Sequence, residues 1–135
     1  MIEDKLTYKI IGCAMEVHKA LGNGFQEVIY QRCLAIELDR ARLSFSREVE
    51  QPILYRGVEI GTRRVDFIVG NRVVVELKAL TAFEDVHVAH AKNYVLAYDF
   101  EIGLLINFGA VRLEYKRVFN ENKIPVNSDS DPKQK

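Results

Sequence analysis

Leu6, Ile10, Ala14 and Val17 recur at helical spacing near the start of the chain, and this pattern predicts an amphipathic helix over 4–20. Gly22-Asn23-Gly24 stops it. Val28, Leu34, Ala35 and Leu38 mark the core side of a second helix over 26–41. Around Ser44 the period shortens, and strands are predicted over 46–55 and 58–69, joined by a tight turn at Arg56-Gly57. Pro52 cannot donate to a ladder, so the first of these strands belongs at an edge or a bulge. Gly61 marks a bulge position in the second. Gly70-Asn71 turns the chain into a third strand over 72–79, and a helix follows over 84–98. A last hairpin, 102–107 with 111–118, folds around Phe108-Gly109-Ala110. There is no internal repeat. The order ααβββαββ predicts an α/β fold, a mixed central β-sheet flanked by helices with the active groups at one sheet edge. Residues 1–119 form one domain in this account. From Asn120 the composition turns polar, and 120–135 is expected to be a disordered tail.

Composition narrows the class without choosing a function. A chain of 135 residues can bury a core without metal or disulfide staples. Cys13 and Cys33 are too few for a disulfide framework and lack CxxC spacing, which fits a reduced, cytoplasmic setting. Met1-Ile-Glu-Asp-Lys is charged and no long apolar run follows, so neither a signal peptide nor a membrane span is expected. The formal net charge is zero, which argues against a large sequence-independent grip on nucleic acid but leaves room for a local basic groove.

The strands over 58–69 and 72–79 carry an anomaly. Asp66, Glu76 and Lys78 interrupt the apolar runs Arg64-Val-Asp-Phe-Ile-Val69 and Val73-Val-Val-Glu-Leu-Lys78. Charge without a partner is expensive inside a protein. Side chains alternate faces along a strand. If Val69 pairs with Val73 across a three-residue turn, the odd positions Phe67, Val69, Val73, Val75 and Leu77 form one apolar face. Asp66 then lies opposite Glu76 on the other face. A one-residue slip would send Arg72 and Glu76 to the core side with Phe67, so the pattern favours the first register. Two carboxylates that close are stable together with a cation between them, or with one protonated. They make a hard oxygen site for a divalent metal, and Lys78 points the same way. The competing account is a salt bridge from Glu76 to Lys78 or a nearby Arg on a solvated sheet face.

Asp, a nine-residue spacer and Glu-x-Lys across a hairpin is the arrangement of the PD-(D/E)xK nucleases, which this stretch resembles. Gly24-Phe-Gln-Glu27-Val-Ile-Tyr30 also matches the signature of the bacterial GxxExxY proteins, small members of that group. Leu21 through Tyr30, the Asp66-Phe-Ile-Val strand, Val75-Glu-Leu-Lys78 and Gly103-Leu-Leu-Ile-Asn-Phe-Gly109 all look like that family, across roughly residues 3–118. The resemblance implies a PD-(D/E)xK (restriction endonuclease-like) core. It implies Asp66, Glu76, the Leu77 carbonyl and Glu27 as metal ligands, Mg2+ or Mn2+ as the ion, and Lys78 as the group that orients or activates water. Tyr30, one turn from Glu27, would hold Glu27, stack near substrate, or simply belong to the core. The chain departs from the family at His90, which stands where members often carry a glutamine, four residues before Tyr94. His87, His90 and Tyr94 form one stripe on the predicted helix. The histidines would contact phosphate or water, ligate a softer metal, or face solvent. His18 is expected to cap or pack locally.

The expected activity is metal-dependent hydrolysis of phosphodiester bonds. Tyr30, Arg64, His87, His90, Lys92 and Tyr94 are the substrate-binding candidates, with Arg63, Arg72, Arg47 and Arg56 as further basic groups. Nucleic acid is the expected partner, DNA ahead of RNA, with homodimerisation through the edge strands and no membrane. The alternative is a catalytically weak nucleic-acid or protein binding module that retains the nuclease fold. A third account, a histidine-centred metal-binding protein, rests on His87 and His90 alone.

Overall fold

The computed structural model describes residues 4–123. Two helices, α1 (Lys5–Leu21) and α2 (Glu27–Arg40), precede strands β1 (Phe45–Tyr55), β2 (Val58–Val69) and β3 (Val73–Lys78). Helix α3 (Asp85–Ala97) and strands β4 (Ile102–Asn107) and β5 (Glu114–Phe119) follow, then a short 3-10 turn at Glu121–Lys123. The order is the ααβββαββ that the pattern predicts, and the fold is α/β. The five strands form one sheet in the order β1-β2-β3-β4-β5. Only β3 and β4 run parallel, because α3 carries the chain back between them.

Local chemistry sets the boundaries. The Asp4 carboxylate accepts from Thr7 N at 2.8 Å and caps α1. Gly22, at φ 74, ends that helix in a conformation that other residues resist. Arg56 and Gly57 both have positive φ and close the β1–β2 hairpin in two residues. Pro52 lies on the edge strand β1, as its missing donor requires. The β1–β2 register slips between Ile53 and Leu54, opposite Gly61 and Glu59, where glycine marked a bulge.

The β2–β3 turn settles the register question. Val69 pairs with Val73, and Phe67 with Val75, across Gly70-Asn71-Arg72. Gly70 and Asn71 supply positive φ. Arg72 locks the turn, donating to Asp4 Oδ2 at 2.6 Å and Glu101 Oε1 at 2.7 Å.

Helices α1 and α2 cover one face of the sheet. Ile10, Ala14, Val17, Leu34 and Leu38 pack there with the odd-numbered Phe67, Val75 and Leu77. Helix α3 covers the other face. Its Ala91 and Val95 pack on Leu105 and Val118, and Tyr98, just past its end, packs with Ile68 and Val74. A Cβ on Gly103 would run into Val95 and Val118, so the glycine lets α3 lie close on β4.

Two expectations change. Val28 is exposed, because the buried stripe of α2 runs through Tyr30, Gln31, Leu34, Ala35 and Leu38. Asn120, placed by composition in the tail, is buried. Its N donates to Glu101 O, its Nδ2 to Phe100 O, and its Oδ1 accepts from Asn122 N. The remainder of the expected tail, 124–135, lies outside the described residues.

Candidate active site

The site lies where β2 and β3 part. Their ladder runs from Val69–Val73 to Phe67–Val75 and stops before Asp66 and Glu76, the next positions in the same register. Asp66 Oδ2 accepts from Leu77 N at 2.8 Å. A side chain thus takes the place of a ladder carbonyl at the point of separation. Its Oδ1 accepts from Gln31 Nε2 of α2, also at 2.8 Å. Asp66 is therefore fixed at both oxygens by two different elements.

Glu76 follows Val74 on the face that α3 covers, and only 6% of it is exposed. The expected alternation of faces holds, but the even face is roofed rather than solvated. The competing salt bridge to a nearby Arg forms in part, but its carboxylate is buried rather than solvated. Arg63 Nη2 lies 3.8 Å from Glu76 Oε1, while Oε2 is buried with no donor. Burial, and then the neighbouring Asp66 charge, push the Glu76 carboxyl up to about 8, with Arg63 and Lys78 opposing. A hydrogen bond between the Glu76 and Asp66 side chains adds to the rise, and a cation between them would offset it.

An aromatic stack backs the carboxylates. The Arg63 guanidinium lies 4.2 Å from the centre of the Tyr94 ring, and Tyr94 stacks on Tyr98 at 5.9 Å. Burial pushes the Tyr98 phenol up to about 12, with Glu76 adding and Arg63 opposing. Tyr98 Oη and Arg63 Nε are, like Glu76 Oε2, buried without a partner.

Beyond Lys78 a polar knot holds the strand ends. Asn107, fully buried, donates from Nδ2 to Leu80 O and to Glu114 Oε1, and its Oδ1 accepts from Leu80 N and Gly109 N. Phe108 N donates to Lys78 O at 2.8 Å. A Cβ on Gly109 would meet the Ala79–Leu80 backbone, so this glycine lets the two loops touch.

The other sequence candidates divide. Glu27 is the exposed first residue of α2, one turn before Gln31 on the same helix face. Tyr30 is fully buried; its hydroxyl donates to Gly22 O at 2.6 Å, accepts from Phe25 N, and its ring stacks on Phe108. That is the core position among the three expected for it, with the hydroxyl bonded within the corner before α2. His87 Nδ1 accepts from Glu84 N at 2.9 Å and closes the first turn of α3, so this ring nitrogen is used as a cap. His90 is exposed, one turn before Tyr94 and 6.3 Å from it ring to ring. Arg64 pairs with Glu50 across the exposed β1–β2 hairpin at 3.5 Å. Lys92 lines a small cavity with Leu96, Phe119 and Glu121. Phe119 pairs with Ile102 at the start of β4, whereas Lys78 pairs with Asn107 at its end, so Lys92 is not brought to the carboxylates. His18 Nε2 donates to Ala110 O, 3.0 Å away, in a local packing role.

Gln31 and Asn107 carry no sequence candidacy as site supports, and Arg63 and Tyr94, candidates for substrate contact, are brought together as a stack beside Glu76. The available signal for Gln31 was its place four residues after Glu27 on a buried stripe.

The chemistry of the donor set fits a hard divalent cation. Two adjoining carboxylates, one with a buried oxygen that no N–H serves, suit an ion that keeps several waters. Among the described residues no three His, Cys, Asp or Glu side chains gather as a ligand cluster. Glu27 is thus not gathered with Asp66 and Glu76, nor are the histidines with any carboxylate group of that size. Cys13 and Cys33 are free. No helix among the described residues is long and apolar enough to cross a membrane.

Residues 4–118 match the family model described as the PD-(D/E)XK nuclease superfamily. The crystal structure of SSO0001 superposes with a TM-score of 0.54 at 18% sequence identity, covering 84% of this chain. This chain spans 60% of that one, and at such identity the likeness concerns the fold. No match is found among curated proteins.

Proposed function

The chain belongs to the PD-(D/E)XK nuclease superfamily, and from that membership we propose that it hydrolyses phosphodiester bonds of nucleic acid with Mg2+ or Mn2+. The observation that carries this is the Asp66–Glu76 pair, fixed by Gln31 and Leu77 N and left with a buried oxygen that only a cation or a proton would satisfy. Such an ion polarises a phosphoryl oxygen and acidifies a water.

Asp66, Glu76 and the Leu77 carbonyl would hold the ion, and Glu27 is the further carboxylate on the α2 side. Lys78, half-buried and close enough to oppose the Glu76 shift, would orient water and stabilise developing charge. His90 and Tyr94 border the site from α3, and Arg64 offers a more distant phosphate contact. Within the superfamily, Gly24, Glu27 and Tyr30 support assignment to the GxxExxY group. Gly22 through Tyr30 form one hydrogen-bonded corner, which gives that signature a structural use apart from chemistry. DNA is the preferred substrate in this account, and the setting is cytoplasmic. A homodimer would use the edge strands β1 and β5.

Zero net charge favours the second account, a binding module with little cleavage. The test is cleavage of single- and double-stranded DNA and RNA with magnesium, manganese and zinc, with metal binding measured separately by calorimetry. Lys78→Ala should retain the metal and lose turnover. His90→Gln should retain both if His90 merely occupies the family glutamine's place, and should alter metal preference if it is a ligand. A protein that binds none of the metals and cuts none of the substrates is a binding module. Sedimentation showing only monomer at micromolar concentration would exclude the dimer.

A further inference from the structure

Arg63 is the one basic side chain among the described residues that forms an ion pair with Glu76. It stands three positions before Asp66 on β2, beside the carboxylates yet outside the motif. The groups that face Glu76 electrostatically are Asp66, Arg63 and Lys78. The Arg63 contact, at 3.8 Å, is too long for a hydrogen bond. Its Nε is buried without an acceptor, while 36% of the side chain remains exposed. The guanidinium carbon lies over the Tyr94 ring, 4.2 Å from its centre. A guanidinium so placed is charged at all working pH values and suits planar pairing with an anionic oxygen. Arg64, by contrast, is already paired with Glu50.

We propose that Arg63 is a substrate-phosphate residue that serves as the internal counter-ion of the Asp66–Glu76 pair until a divalent cation takes that place. The proposal rests on the metal reading of the Asp66–Glu76 pair. A cation at the carboxylates repels the guanidinium and removes its partner's charge. Arg63 is then left stacked on Tyr94 at the rim of the site, with its donors free for a phosphate oxygen. Metal loading and phosphate binding are thereby coupled through one side chain.

The experiment compares the full chain with Arg63→Gln and Arg63→Lys. Calorimetry measures Mn2+ affinity without nucleic acid. Binding of short single- and double-stranded DNA oligonucleotides is then measured with Ca2+, with cleavage products monitored. Arg63→Gln should bind Mn2+ about three- to tenfold more tightly, because a competing charge has gone. It should bind oligonucleotide about tenfold more weakly in the ion-loaded protein. Arg63→Lys, which keeps the charge, should stay nearer the parent in Mn2+ affinity. A misfolded variant cannot gain metal affinity, so the first result is not a folding effect. Unchanged or weaker Mn2+ binding in Arg63→Gln, or unchanged oligonucleotide binding, overturns the proposal while the parent's own metal binding leaves the site intact. If neither parent nor variant binds Mn2+, the metal reading itself falls and the proposal with it.

Discussion

Strand β3 presents two faces of opposite character. Toward α1 and α2 it offers Val73, Val75 and Leu77, buried in one apolar cluster with Ile10, Leu34 and Phe67. Toward α3 it offers Val74, Glu76 and Lys78, and around Glu76 three buried polar atoms lack partners. Six residues thus serve stability on one side and chemistry on the other. The first face has nothing left to satisfy. The second is covered but unfinished, and a covered, unfinished polar site is where an added ion gains most, because the low dielectric that penalises an orphaned carboxylate also strengthens its bond to a cation.

The comparison can be broken by mutation. The largest effect belongs to the polar face: Asp66→Ala or Glu76→Ala should lower metal-dependent cleavage about a thousandfold, on the order of 4 kcal/mol in the barrier, with the folded state retained. Steady-state cleavage and circular dichroism check the two parts. An unfolded variant, or one that still cuts, contradicts the division between the faces.

On the apolar face Leu34→Ala removes a fully buried side chain and should cost about 2–5 kcal/mol in urea unfolding. The protein that remains folded should cut at the parent rate, since Leu34 belongs to the apolar cluster.

pH sharpens the contrast. The Glu76 carboxyl rises from 4.5 unfolded to about 8 folded, chiefly through burial. The folded protein therefore holds a proton that the unfolded chain releases. The stability this contributes is complete below 4.5 and is lost as pH rises through about 8, by a few kcal/mol at most. Metal-free unfolding curves measured across that range should show the decline. Glu76→Gln should flatten it, and Mn2+ should restore stability at the alkaline end. A parent curve that is flat without metal would mean that Glu76 does not hold that proton.

The smallest effect concerns the corner before α2. Tyr30→Phe deletes the bonds to Gly22 O and Phe25 N and should cost about 1 kcal/mol, with cleavage unchanged. A loss of turnover without a loss of stability would return Tyr30 to the site.

Much of this was legible in the chain itself. Periodicity alone separates the helices from the strands, because burial repeats every 3.6 residues in one and every two in the other. The odd–even split of 67–77 selects the Val69–Val73 register, since a slip would bury charge among apolar side chains. The same parity brings Asp66 and Glu76 to adjoining positions. Tertiary structure decided the rest. That α3 roofs the even face, burying Glu76, depends on where a crossover helix lands, and α3's own sequence pattern does not announce it. Gln31 reaches Asp66, and Arg63 reaches both Glu76 and Tyr94, across distant parts of the chain. Tyr30 and His87 carried the composition of site residues, yet the Tyr30 hydroxyl is taken by Gly22 and Phe25 and the His87 Nδ1 by Glu84. Sequence spacing fixes which side of an element a residue occupies, but a polar atom's partner is fixed only when separate elements pack, and the partner determines whether that atom supports the fold or remains free to act.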